Sequence, residues 1–194
     1  MKRAANRGLV LFAHGSGSSR HSPRNQFVAR ELRHGRLGTL LFDLLSADEE
    51  MAEIRTRELR FDISLLARRL VAATRWVRAQ PGCLHLQVGY FGASTGAAAA
   101  LIAAAELGDV VGAVVSRGGR PDLAEEVLDR VASPTLLIVG EADTDVLPLN
   151  EQACARLQCQ KALKLVPNAT HLFEEAGALE AVSRLALEWF ARYL

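Results

Sequence analysis

The chain has 194 residues, 49% of them hydrophobic, with a formal net charge of +1, which suits one compact domain over residues 1–194 with a full core and leaves no sequence for a second. Near-neutral charge without a basic run excludes a nucleic-acid surface, since neutralising phosphates needs clustered Lys and Arg; a small-molecule partner is expected. The basic stretch Met1–Arg7 precedes an apolar run reaching only from Leu9 to Ala13, too short for a signal-peptide core or a membrane span, so a cytoplasmic location is expected. Cys83, Cys154 and Cys159 have spacings that fit neither zinc nor a redox pair, and no metal or cofactor is called for.

Strands and helices alternate along the chain. Gly8–Ala13 reads as a buried strand, Pro23–His34 as a helix, Gly38–Asp43 as a strand and Phe61–Ala79 as a long helix. A strand over Leu84–Phe91 follows, then an alanine-rich helix, a strand ending at Ser116, a helix over Asp122–Val131 and a strand over Thr135–Val139. The pattern closes with a helix after Pro148, a strand over Ala162–Val166 and a last helix from about Leu172 to Leu194. Continuous apolar strands without alternation mean that both faces are covered, so the fold class is α/β with a six-stranded, doubly wound parallel sheet. Ser22 before Pro23 supplies an N-cap, Asp62 can cap the helix after it, and Gly35 and Gly108 stand just past helix ends. The charged stretch Ser46–Arg60 is read as a solvated helix, with a short lid as the alternative.

The most informative segment is Gly92-Ala93-Ser94-Thr95-Gly96, where an apolar strand runs straight into an alanine helix. A serine at a sharp strand-to-helix turn sits in strained backbone, and only residues without bulk fit two positions before and after it. The helix behind it, mostly methyl side chains, can pack close beneath the sheet and aim its N-terminal dipole at Ser94. A serine nucleophile needs a base, and the base needs a carboxylate that fixes its tautomer. In a parallel sheet these groups collect at the C-terminal strand ends. Of the five histidines only His171 follows Ser94, across the turn after the last strand; the turn after the fifth strand offers Glu141, Asp143 and Asp145. The base must be neutral to accept the serine proton, so kcat/KM is expected to rise with pH.

An acyl oxyanion would need two backbone donors. The N–H of Thr95 is one candidate, and the N–H of Ser16 in the small-residue loop after the first strand is the other, with His14 read as a brace for that loop. Four arginines stand near the expected mouth: Arg20 and Arg24 beside the first loop, and Arg117 and Arg120 after the fourth strand. Arg20, Arg117 and Arg120 are candidates to bind an anionic group on the substrate. Against that, Arg24 can be solvated and Arg117 can pair with Asp122 or Glu50.

The segments FAHGSGSSRHSPRN, TLLFDLL, RFDISLLARRL, GYFGASTGAAAAL, SRGGRPDLA, VGEADTDVLPLN and THLFEE resemble, over nearly the whole chain, the dienelactone-hydrolase-like branch of the α/β-hydrolases. The similarity is greatest to the short type without a cap domain that is also found fused to phosphoribosyltransferase domains. The resemblance implies a minimal α/β-hydrolase fold without the two N-terminal strands of larger members. It also implies a serine hydrolase acting on a small ester, thioester or lactone, with Asp143 as the acid in the order Ser, Asp, His. Dienelactone hydrolase itself carries a cysteine nucleophile where this chain has Ser94, so its lactone substrate does not carry over. Two other readings stand beside it. Gly15-Ser16-Gly17 with Asp43 after the second strand mimics a dinucleotide fingerprint, although Arg20 stands where its third glycine belongs. A protein that binds or transfers acyl groups with the same triad is the other.

Overall fold

In the computed structural model, which describes residues 8–56 and 58–194, six strands form one all-parallel sheet. They are β1 (Gly8–Ala13), β2 (Gly38–Leu41), β3 (Gln87–Ala93), β4 (Val111–Arg117), β5 (Thr135–Gly140) and β6 (Lys161–Val166), in the order β2-β1-β3-β4-β5-β6. The helices are α1 (Pro23–His34), α2 (Ala47–Thr56), α3 (Ile63–Arg78), α4 (Thr95–Leu107), α5 (Leu147–Arg156) and α6 (Ala178–Tyr193). The basic stretch Met1–Arg7 lies outside the described residues, as does Arg57.

The unbroken apolar strands follow from burial on both faces. Leu9, Leu11 and Ala13 of β1 join a core with α3 and α4, whereas Val10 and Phe12 of the same strand join a second core with α1 and α6. Successive side chains alternate faces, and here both faces are dry. This is the expected doubly wound α/β sheet, with no cap among the described residues. Chain direction reverses about β1, so the crevice between the C-terminal ends of β1 and β3 is the topological switch point, where open α/β sheets take their ligands. Ala13 pairs with Gly92 there, which brings the loop after β1 against the turn after β3.

Caps and ends match the sequence reading in part. Ser22 accepts the Asn25 N–H and Asp62 accepts the Leu65 N–H. The segment Pro121–Arg130 is not an α-helix but a 3-10 segment, kinked at Ala124. β2 stops at Leu41, two residues short of Asp43. β3 begins at Gln87, not Leu84, because the residues before it form a turn that leaves Leu84 exposed. α6 begins only at Ala178, since Phe173 and Gly177 take positive φ before it. The solvated-helix reading of Ser46–Arg60 agrees with α2, which is followed by a 3-10 turn at Leu59–Phe61.

Candidate active site

The turn between β3 and α4 holds Ser94 at φ 50° and ψ −122°, a region that an L-residue enters at a cost of roughly 1–3 kcal/mol. Neighbouring backbone holds it there: the Ser94 N–H donates to the Arg117 carbonyl at 3.2 Å, and the Ser94 carbonyl accepts from the Arg120 N–H at 3.1 Å. The flanking glycines are required by contact. A Cβ on Gly96 would lie 2.1 Å from the Ala13 carbonyl oxygen, and one on Gly92 would lie 2.5 Å from Cα of Ala97. Methyl side chains along α4, buried from Ala97 to Ala100, let the helix sit that close.

The turns after β5 and β6 are joined to each other. Glu141 donates its N–H to the Val166 carbonyl and Ala142 to that of Ala169, each at 3.0 Å. That zipper brings His171 to Asp143, with Nδ1 donating to Oδ2 at 2.7 Å. Asp143 is buried, whereas Glu141 and Asp145 are exposed; Asp145 does not cap α5, whose N-terminus has no side-chain cap. Below His171, Glu175 accepts from the Thr170 N–H at 3.1 Å and its hydroxyl at 2.6 Å. Those bonds to Thr170 hold the Glu175 carboxyl below the usual carboxylate range.

Ser94, His171, Leu172, Arg24 and Arg117 line one cleft of about 170 Å³ together with the loop after β1. This is smaller than the roughly 300 Å³ at which pockets for drug-sized ligands begin. A larger groove of about 400 Å³ lies along the β2 side of α1, lined by Arg20, Arg30 and Arg33, but contains neither Ser94 nor His171.

His14 braces the β1 loop, as the sequence suggested. Its Nε2 accepts the Leu44 N–H at 3.0 Å, which puts the proton on Nδ1, 3.1 Å from the Gly15 carbonyl. The Ser16 N–H, a candidate oxyanion donor, is directed at the Thr95 hydroxyl at 3.1 Å; the Thr95 N–H stands at the first turn of α4, where no intrahelical acceptor exists. Ser16 Oγ also reaches the Arg60 carbonyl at 3.3 Å. Arg60 is in turn held by the buried Glu53, which accepts the Leu59 N–H at 2.7 Å and pairs with the Arg60 side chain. Nothing in the sequence marked Glu53, because its partners become neighbours only when α2 folds back.

The arginines separate. Arg20 donates from main chain and side chain to Asp43, and Arg120 makes two bonds to Asp122, at 2.9 and 2.7 Å; neither lines the cleft with Ser94. Asp43 is thereby engaged by Arg20, which competes with the ribose contact that the dinucleotide reading gave it. Arg117, 8% exposed, pairs with neither Asp122 nor Glu50; its guanidinium lies 5.7 Å from the Phe173 ring centroid. Burial, with the nearby Arg24 charge, lowers its pKa to about 10. Arg24 is not merely solvated: it donates to Glu174 at 2.9 Å.

The family model for the dienelactone hydrolase family matches residues 43–194. The chain belongs to that family. A solved structure described as dienelactone hydrolase from Anabaena variabilis superposes with a TM-score of 0.95 at 61% identity, covering 96% of this chain and 87% of that one. A Mycobacterium tuberculosis protein provisionally named a phosphoribosyl transferase is 57% identical over 188 residues, 97% of this chain. The chain spans 42% of that relative's length. More distant structures share the fold alone, such as Est1E from Butyrivibrio proteoclasticus, with a TM-score of 0.79 at 15% identity over 98% of this chain and 91% of that one. As a member of the dienelactone hydrolase family the chain is an α/β-hydrolase enzyme. Among the described residues no helix is long and apolar enough to cross a membrane, and no His/Cys/Asp/Glu group is arranged to hold a metal.

Proposed function

We propose that the protein is a serine hydrolase of small esters, thioesters or lactones, with Ser94 as nucleophile, His171 as base and Asp143 as the acid that orients it. The observation that carries this reading is the 2.7 Å pairing of His171 with the buried Asp143 in the cleft that also holds the strained Ser94. Asp143 fixes the proton on Nδ1, which leaves Nε2 as the basic nitrogen. Ser94 Oγ attacks the acyl carbonyl as its proton passes to His171, and the developing oxyanion takes the Thr95 N–H, and that of Ser16 once it is released from the Thr95 hydroxyl. Collapse expels the leaving group with the proton from His171. A water molecule, deprotonated in the same way, then hydrolyses the acyl-enzyme and restores the serine.

The test is labelling with a fluorophosphonate followed by peptide mass spectrometry, which is expected to place the adduct on Ser94 and to find none in Ser94→Ala. Labelling of another serine, or no labelling of an enzyme that hydrolyses nitrophenyl acetate, would refute the assignment. An enzyme that labels at Ser94 but forms product only when an acceptor alcohol or thiol is supplied would be an acyltransferase.

A further inference from the structure

We propose that the cleft beside Ser94 contains an oxyanion subsite, built from Arg117, Arg24 and the N-terminus of α1, that takes a phosphate group carried by the substrate. It rests on the hydrolase reading above and adds the substrate's second recognition element. Most charged side chains at this end of the sheet have partners: Arg20 has Asp43, Arg60 has Glu53, Arg120 has Asp122 and His171 has Asp143. Arg117 is the exception. It is more than nine-tenths buried and lines the cleft, yet Nε and Nη1 meet no acceptor among the described residues. A buried cation is normally paired, and a buried N–H left unbonded points to a missing ligand. The Phe173 ring face lies on one side of the guanidinium and supplies no acceptor for its edge.

Arg24 repeats the pattern. Glu174 accepts from its Nη1, while its Nε is buried without an acceptor. The two guanidiniums repel each other, and an anion between them relieves that repulsion. The 12-residue α1 adds its positive end, since Ser22 and Arg24 line the same cleft. In its first turn Pro23 has no N–H and the Asn25 N–H is taken by Ser22 Oγ, which leaves that of Arg24. The donor count favours a phosphate over a carboxylate. The Arg117 edge alone serves two oxygens, and Arg24 Nε with its backbone N–H remain for a third, which a carboxylate lacks. Because the Arg117 carbonyl accepts the Ser94 N–H, the phosphate belongs within a few bonds of the scissile acyl group.

The experiment uses inorganic phosphate as the probe, with acetate at matched ionic strength as its rival, in two readouts: competition with nitrophenyl acetate hydrolysis and direct calorimetry, which needs no turnover. Phosphate is expected to compete and to bind at least ~5-fold more tightly than acetate. Arg117→Met and Arg24→Met are each expected to weaken it by about 10-fold or more, the scale of losing hydrogen bonds to a charged group. Arg117→Lys is expected to restore part of that loss, and Arg33→Met, which removes the same charge from the other side of α1, to keep phosphate binding. Equal or tighter acetate binding would overturn the assignment to phosphate. So would calorimetry without a phosphate signal, or an Arg33→Met loss as large as that of Arg24→Met. If Arg117→Met does not fold, the wild-type calorimetry and Arg24→Met still decide. Failure of the hydrolase reading looks different: no ester turnover and no Ser94 label, whatever phosphate does.

Discussion

The Ser94 turn after β3 and the paired turns after β5 and β6 reach one cleft by different means. Ser94 is aimed by backbone: a positive φ, glycines that admit a neighbouring strand and helix, and hydrogen bonds from the 117–120 loop. Asp143 and His171 come from two turns zipped together by backbone hydrogen bonds and meet through one side-chain bond. A site of the first kind tolerates loss of its functional atom without structural change; one of the second kind holds its geometry only while both partners remain.

The largest effect is expected from Ser94→Ala, which keeps the backbone and removes the attacking oxygen. A fall of ~10⁶-fold in kcat is the scale for a triad serine, and circular-dichroism melting should match the parent. A residual activity above one part in about a thousand would mean that another group attacks. Asp143→Asn is expected next, at ~10⁴-fold in kcat, because the amide favours the wrong imidazole tautomer; a normal melting curve with near-normal turnover would break the acid assignment. Gly96→Ala probes the backbone side of the comparison. Its methyl would collide with the Ala13 carbonyl, so destabilisation of about 3 kcal/mol is expected. In a chain of this size that is roughly 6–12 °C in Tm, with activity lost alongside; a thermally neutral variant would show that the turn is softer than its contacts imply.

Smaller effects test the supports. In Glu53, burial raises the carboxyl pKa but hydrogen bonds from Arg60 and Leu59 outweigh it, and the net shift is downward. A carboxylate with a lowered folded-state pKa stabilises fully above its unfolded value of about 4.3 and loses that contribution as pH falls through the folded value. Glu53→Gln should remove this acid sensitivity and speed amide exchange at Leu59 and Arg60; unchanged exchange would show that α2 is held otherwise. The smallest effect belongs to Asp145→Asn, an exposed residue without a capping role. Within about 0.5 kcal/mol and twofold in kcat is expected, and a large loss of turnover would transfer the acid role from Asp143.

The inner strands β1, β3, β4 and β5 were legible because burial on both faces leaves apolar runs, whereas the edge strands β2 and β6 are only partly buried and Lys164 interrupts β6. The turn of Ser94 was legible because its close contacts write two glycines at fixed spacing. Elimination among the five histidines singled out His171 as the proposed base. Boundaries were not: apolar Leu84 reads as strand but lies in an exposed turn, and Leu172 and Phe173 read as helix but precede it. Asp143 could be separated from Glu141 and Asp145 only by resemblance, since three carboxylates in one turn have the same local chemistry.

Residue order alone determined the α/β class, the covered inner strands and the tight Gly92–Gly96 turn, since each depends on neighbours within a few positions. Tertiary structure decided the partners. Arg20 and Asp43 are 23 residues apart and Arg24 and Glu174 are 150 apart, so no local pattern tells which arginine is neutralised and which stands free in the cleft. The physical reason is range: propensity and periodicity act along the chain, whereas pairing and desolvation act through space, after the sheet has fixed which loops meet.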